Sequence, residues 1–415
     1  MSLDVRLVTA EDDLKPELDL ADRAFGPSRR DRERRLASAR ARVAAGRHLG
    51  VFDGGTMVAS AEFHDMRQWW LGRSLPMAAI AGVKVAPEER GRGVGRALMA
   101  GLLEHVAAGG YPLSVLYPAT AAVYRSLGWE LAGGQYQVEV PARSLHRLLP
   151  PDPLAEAGAG EHTGATGPGG RAGGLRRATA ADADELMACQ DAVHAAGRDC
   201  GPVSYPTDRL TDLLDDPDIY CYLAADGMLV YRWNRPDNEV LVFVLVASSA
   251  PTTRVLWSIL ASHGTMVDRV RAFVSPADAV TWLVPEPDVA LSRREMWMLR
   301  VVDAPAAIAG RGFPERADVD VRLSLADAQR PANSGQWRLE VGAGRGTLTR
   351  DGTDAARAAS SAPALRLGPR GLAAMYAGTP LAALRRAGLA AGGDSCCDEV
   401  LDEAFAGQAY MLDFF

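Results

Sequence analysis

The feature that most restricts the fold is a glycine-rich turn between an apolar strand and an amphipathic helix. Ala78 to Val85 form an apolar run that reads as a buried strand. Ala86-Pro87-Glu88-Glu89 turns the chain, and Arg90-Gly91-Arg92-Gly93-Val94-Gly95-Arg96 follows. Ala97 to Val106 then places apolar residues at helical spacing. The glycines thus fall where a strand hands over to a helix N-terminus. The first helical turn leaves N–H groups unpaired and carries partial positive charge. Glycines admit a diphosphate close to that backbone, and Arg90 and Arg92 add charge and donors. A dinucleotide fold asks for Gly-x-Gly-x-x-Gly after its first strand with an acid about 20 residues on. A nucleoside triphosphatase asks for Gly-Lys-Ser/Thr. Neither is present. The competing structural reading is a tight turn with solvated arginines.

Length and spacing organise the rest. A chain of 415 residues has room for two or three domains. Residues 151–174 are rich in Gly, Pro and Ala, lack apolar periodicity, and read as a linker or loop. The stretches on either side share a plan. Val5 to Asp13 and Leu175 to Asp182 each read as a short strand, a Thr cap and an acidic helical turn. Turns follow at Asp53-Gly54-Gly55 and Asp226-Gly227. Apolar strands come next, at Ala78 to Val85 and Val240 to Val246, then strands running into Pro-Ala at Val115 to Ala119 and Ala272 to Ala277. This order predicts a duplicated domain over 1–150 and 175–297. Alternation at Val319 to Leu323 and Gln336 to Val341, with helices at Gly371 to Gly388 and Glu399 to Gly407, predicts a third, α+β unit over 298–415.

Composition narrows the function. The net charge of −7 argues against nucleic acid as a partner and fits a cationic substrate. The five cysteines show no Cys-x-x-Cys, and the seven histidines no cluster, so reduced thiols and no metal are expected. No secretory leader or membrane span is legible, so the cytoplasm is the expected location and no membrane partner is expected.

The run Val83-Lys84-Val85-Ala86-Pro87-Glu88-Glu89-Arg90-Gly91-Arg92-Gly93-Val94-Gly95-Arg96-Ala97-Leu98 resembles the acetyl-CoA motif of the GNAT superfamily. Ala122-Val123-Tyr124-Arg125-Ser126-Leu127-Gly128-Trp129 resembles its tyrosine segment, with Trp129 where Phe or Tyr is usual. Over nearly its full length the chain resembles the enhanced intracellular survival (Eis) family. That resemblance implies an active GNAT domain, a second GNAT-like domain without a phosphate loop, and a C-terminal domain like a sterol carrier protein. The α/β and α+β fold class follows. It also implies acetyl-CoA as co-substrate, paired with the backbone of Val83, Lys84 and Val85. The pyrophosphate would be cradled by Arg90, Gly91, Arg92, Gly93, Val94, Gly95 and Arg96, and Ala119 and Thr120 would complete the site. The second turn, Ala247 to Arg254, has no glycine, and Pro251 removes an N–H, so no CoA is expected there. A homo-oligomer, as a hexamer, is implied by resemblance alone.

Amine acetylation needs an acid for the leaving thiolate and a base for the amine. Tyr124 is the candidate acid; in isolation a core tyrosine is the plainer reading. The resemblance implies that the base is the carboxylate of the last residue, Phe415. Burial of the two terminal aromatics would raise that carboxylate above its usual range. Asp413 is the rival base. Asp22, Phe25, His64, Asp65, Trp69 and Trp70 are candidates for an acceptor pocket, since aromatics with carboxylates suit a cationic amine. Ordinary core and loop roles compete for each. The expected acceptors are multi-amine compounds, such as aminoglycoside or peptide antibiotics, or lysine side chains. A narrow biosynthetic acetyltransferase and a non-enzymatic CoA- or lipid-binding protein are the alternatives.

Overall fold

The computed structural model describes residues 3–27, 32–150, 174–286, 288–351 and 363–415. The expected linker at 151–174 lies, apart from Gly174, outside them.

The first half is built from β1 (Asp4–Leu7), α1 (Lys15–Phe25), α2 (Arg32–Ala44), β2 (His48–Asp53), β3 (Thr56–Trp70), β4 (Arg73–Val85), α3 (Val94–Ala108), β5 (Leu113–Leu116), α4 (Ala121–Arg125) and β6 (Glu130–Pro141). Gly54 and Gly55, with φ of 56° and 86°, make the two-residue turn between β2 and β3. β4 is apolar from Leu75 to Val83 because both its faces are covered. Ala78 and Ile80 pack under α3, while Met77 and Ala79 join a core shared with the third unit.

The second half contributes β7 (Arg176–Ala178), β8 (Cys200–Ser204), β9 (Ile219–Ala224), β10 (Gly227–Asn234), β11 (Glu239–Ala247), β12 (Arg269–Val274) and β13 (Ala290–Val301). It does not form a separate sheet. The strand order is β1-β2-β3-β4-β5-β13-β6-β12-β11-β10-β9-β7 within one 14-stranded sheet. β13 is antiparallel to β5 on one side and to β6 on the other, and β6 is antiparallel to β12. Each half therefore receives a strand from the other. β8 also pairs with the end of β3. The expected start of the third unit, residue 298, falls inside β13, because that ladder continues to Val301.

The third unit holds a five-stranded sheet in the order β16-β15-β14-β17-β18: β14 (Val319–Leu325), β15 (Gly335–Gly342), β16 (Arg345–Arg350), β17 (Leu365–Leu367) and β18 (Ala390–Gly392). Its last segment leaves it again. β19 (Tyr410–Met411) pairs in parallel with Gly134 and Gln135 of β6.

A buried ion pair fastens this unit to the first half. Arg300, wholly buried, donates to both Asp327 carboxylate oxygens at 2.7 Å, and through Nε to the Leu127 carbonyl at 3.0 Å. Gly128 has φ +96°, and a Cβ there would sit 2.7 Å from Pro369 and 2.8 Å from Arg300 Nε. Arg300→Met should therefore cost about 3–5 kcal/mol, because Asp327 would be left buried without its cation. A urea denaturation midpoint within error of wild type would refute this.

Candidate active site

The site begins where β4 and β5 part. Their parallel pairing runs only from Met77/Leu113 to Ile80/Leu116, while β4 continues to Val85. A bulge opposite Ser60 to Glu62, with Gly82 at φ +58°, turns β4 away. Val83, Lys84 and Val85 thus keep backbone groups on the β5 side without a strand partner. The Lys84 side chain points into the protein, where Nζ lies 2.7 Å from Glu17 Oε1.

Gly91 and Gly93 have φ of +80° and +82°, and a Cβ on either would meet no atom within 4 Å. Gly93 is the N-cap of α3 and supplies no side-chain hydrogen bond, so the helix start is left to a ligand. Val94 is buried and fixes the turn against the core, and a Cβ on Gly95 would lie 3.4 Å from Val85 Cγ2, so helix and strand approach closely there. Arg90, Arg92 and Arg96 are exposed around the loop. Arg92 pairs with Glu89, and Arg96 donates to Ser126 Oγ at 2.7 Å, tying α3 to the end of α4. Gly93→Leu should abolish acetyl-CoA binding, since it strains a positive-φ position and fills the open space before the helix. Calorimetry showing an unchanged Kd would place the loop elsewhere.

Ala119 and Thr120 are exposed between β5 and α4. They lead into Tyr124, which is buried against the first-half core. Its hydroxyl has no hydrogen-bond partner among the described residues, and burial raises its pKa above the ordinary phenol value. It stays protonated at neutral pH. The Tyr124 carbonyl accepts from Leu127 and Trp129 N–H, which fixes the turn through Gly128.

The chain end lies beside this fork. Tyr117, immediately after β5, donates its hydroxyl to the Asp413 carbonyl at 2.6 Å. Its ring centroid is 4.6 Å from that of Phe414 and 5.4 Å from that of Phe415. Gln135 Nε2 donates to the Leu412 carbonyl at 3.1 Å. A Cβ at Gly133 would collide with the Ala409 carbonyl, and one at Gly201 with the Tyr410 backbone, so the tail threads a slot that needs glycine walls. The Asp413 carboxyl accepts a hydrogen bond from Tyr205. Burial lifts it to about 6 against the lowering effect of Tyr205, Arg209 and His194. No local motif in the sequence marks Tyr117, Tyr205 or Arg209, and two of them come from the second half.

The acceptor candidates divide. His64 is held down to about 4 by burial and then by Arg209, so it is neutral at pH 7. Asp65 accepts a hydrogen bond from Tyr111. Asp22 pairs with Arg35 at 2.8 Å, and Phe25 is 61% exposed on α1. Trp69 and Trp70 are structural. β3 carries them beyond the fork to β8, where Trp69 Nε1 donates to Ser204 Oγ at 2.8 Å and Trp70 packs on Tyr376 in the shared core.

Among the described residues, Glu17, His48 and Glu62 have the spacing of a metal-ligand group. Lys84 lies against Glu17 and Arg42 Nε lies 2.6 Å from Glu62, so two cations already compensate the two carboxylates.

Matches to known proteins agree with this architecture. Residues 4–132 and 205–301 each match an acetyltransferase (GNAT) domain model, and residues 304–412 match a sterol carrier protein domain model. A GCN5-related N-acetyltransferase structure from Kribbella flavida is 42% identical, with a TM-score of 0.88, over 100% of this chain and 98% of its own. The chain belongs to the GCN5-related N-acetyltransferase (GNAT) superfamily. N-acetyltransferase Eis of Mycobacterium tuberculosis is 28% identical over 74% of each chain. An uncharacterized N-acetyltransferase of Streptomyces avermitilis is 29% identical over 93% of this chain and 94% of its own. The structure of Eis1 from Mycobacterium abscessus, at 22% identity and a TM-score of 0.75, shares the fold. This acetyltransferase therefore uses acetyl-CoA as co-substrate and acts on a small-molecule acceptor. No described helix is long and apolar enough to cross a membrane.

Proposed function

We propose that this enzyme transfers the acetyl group of acetyl-CoA directly to amines of cationic, multi-amine acceptors. The observation that carries the reading is the chain end seated at the β4/β5 fork, anchored on Tyr117 beside the helix of Tyr124. Bound acetyl-CoA supplies the thioester. Val83 to Val85 hold its pantetheine arm, and the loop from Arg90 to Arg96, with Ala119 and Thr120 beyond it, holds its phosphates. The amine nitrogen attacks the acetyl carbonyl as the Phe415 carboxylate takes its proton. The carbon–sulfur bond breaks, and Tyr124 donates its proton to the departing thiolate. Burial keeps Tyr124 protonated and ready to donate at neutral pH, while the desolvated site disfavours a bare thiolate and so offsets the weaker acidity of the raised phenol. An acidic chain favours the approach of a cationic acceptor.

Thiol release from acetyl-CoA over a panel of aminoglycosides, polyamines and lysine peptides tests this. Turnover should be largest with the multi-amine compounds. Release with only monoamines of one structure would instead point to a narrow biosynthetic enzyme. No release with any amine would overturn the reading.

A further inference from the structure

We propose that the second half carries a pocket for a small ammonium ligand, at the fork corresponding to the first half's cofactor site. β11 and β12 pair in parallel only from Glu239/Arg269 to Val242/Ala272, then diverge. Beyond that point lies a cavity of about 290 Å³, at the start of the helix Ala250–Ala261. That size is near the lower end for ligand cavities, ~300 Å³, and limits the occupant to a small molecule.

Its charge is opposite to that of the first fork. Where β4 leads to glycines and arginines, β11 leads to Ser248 and Ser249. Ser248 Oγ donates to Asp226 at 3.2 Å, and Thr252 donates to the same carboxylate. Burial alone would raise Asp226, but hydrogen bonds from Ser249, Thr252 and Ser248 outweigh it and hold the group below its ordinary value. An ionised carboxylate at the helix start repels a diphosphate.

The cavity walls include Asp199, Asp278, Tyr410 and Ser275 and, among the described residues, no lysine or arginine. Asp278 accepts one hydrogen bond, from Val280 N–H at 2.9 Å, and no cation pairs with it among the described residues. Burial lifts its carboxyl to about 6. Tyr410 hydrogen-bonds Asp199, and Asp199 meets His194 Nδ1 at 2.7 Å on its far side. Carboxylates from two separate loops thus face one space. Asp278 is half-buried, and a carboxylate partly withdrawn from water without a cation is left uncompensated. An ammonium group entering the cavity supplies the missing charge, and Val193, Leu245 and Leu412 accept its methylene groups. Tyr410 and Leu412 lead directly into Asp413 to Phe415, so an occupant would touch the segment that positions the chain end.

The test is titration calorimetry of the full chain with 1,4-diaminobutane, without acetyl-CoA. It compares the wild type with Asp278→Asn and with Ala277→Trp, which fills the cavity mouth from an exposed position. Because the acceptor site proposed above also takes amines, two classes of site are expected in the wild type. Asp278→Asn should weaken one class by about tenfold or more, as expected when a close charge pair loses one member. The other class and acetyl-CoA affinity should not change. Ala277→Trp should remove the same class. Isotherms identical in all three proteins, or a single class that both variants retain, would overturn the proposal. If Asp278→Asn no longer binds acetyl-CoA, its fold is lost and Ala277→Trp decides. Failure of the acetylation reading appears separately, as absence of thiol release in the wild type.

Discussion

Replacing Tyr124 by Phe should lower turnover by roughly 10²–10⁴-fold, the usual contribution of a general acid, and leave acetyl-CoA affinity unchanged. The ring is buried in the first-half core, where Phe fills nearly the same volume. The hydroxyl makes no hydrogen bond to another described residue, so its removal strands no protein group. A stability loss would be small for the same reason. The expected pattern is thus a fall in kcat without a change in Kd or in the denaturation midpoint. Single-turnover kinetics would locate the loss in the chemical step. A loss of only a few-fold, with chemistry rate-limiting, would reduce Tyr124 to a packing residue.

The second large effect concerns the chain end. Appending a few residues after Phe415 should abolish turnover and leave the fold intact. An extension converts the terminal carboxylate to a neutral amide, which accepts no proton near pH 7. It also displaces the Phe415 ring from Tyr117. Deleting Phe415 should inactivate too, because the new carboxylate on Phe414 stops one residue, ~3.5 Å, short. β19 and the Tyr117 bond to Asp413 lie upstream, so neither change removes what anchors the tail. Asp413 as base predicts the reverse. Asp413→Asn would then be inactive and a C-terminal tag tolerated. With Asp413 at about 6, activity would also fall as pH drops through 6, and that limb would vanish in Asp413→Asn. A tagged enzyme with wild-type kcat would eliminate the terminal carboxylate.

The residues that local chemistry dictates are legible in the sequence itself. An apolar strand, a turn with two positive-φ glycines and an uncapped helix start follow from nearest-neighbour rules. Arg90 to Arg96 therefore stand where the sequence puts them. The lack of glycine in Ala247 to Arg254 likewise announces a fork unsuited to phosphate. The duplication is readable because each half repeats the same short-range order.

How the halves join is not legible in the same way. Strand pairing is set by backbone hydrogen bonds and by buried faces that any apolar alternating strand offers, so β6 and β13 carry no mark of their exchange. The same holds for Trp69 and Trp70, which look suited to a cationic acceptor and instead pack against β8 and the third unit. Sequence alone determined the glycine turn before α3, because its conformation depends on residues within a dozen positions. Only the tertiary structure brought Tyr117, Tyr205, Asp413 and Phe415 together. These groups are separated by up to some 300 positions, and the contacts that unite them exist only after the sheet and the shared core have formed.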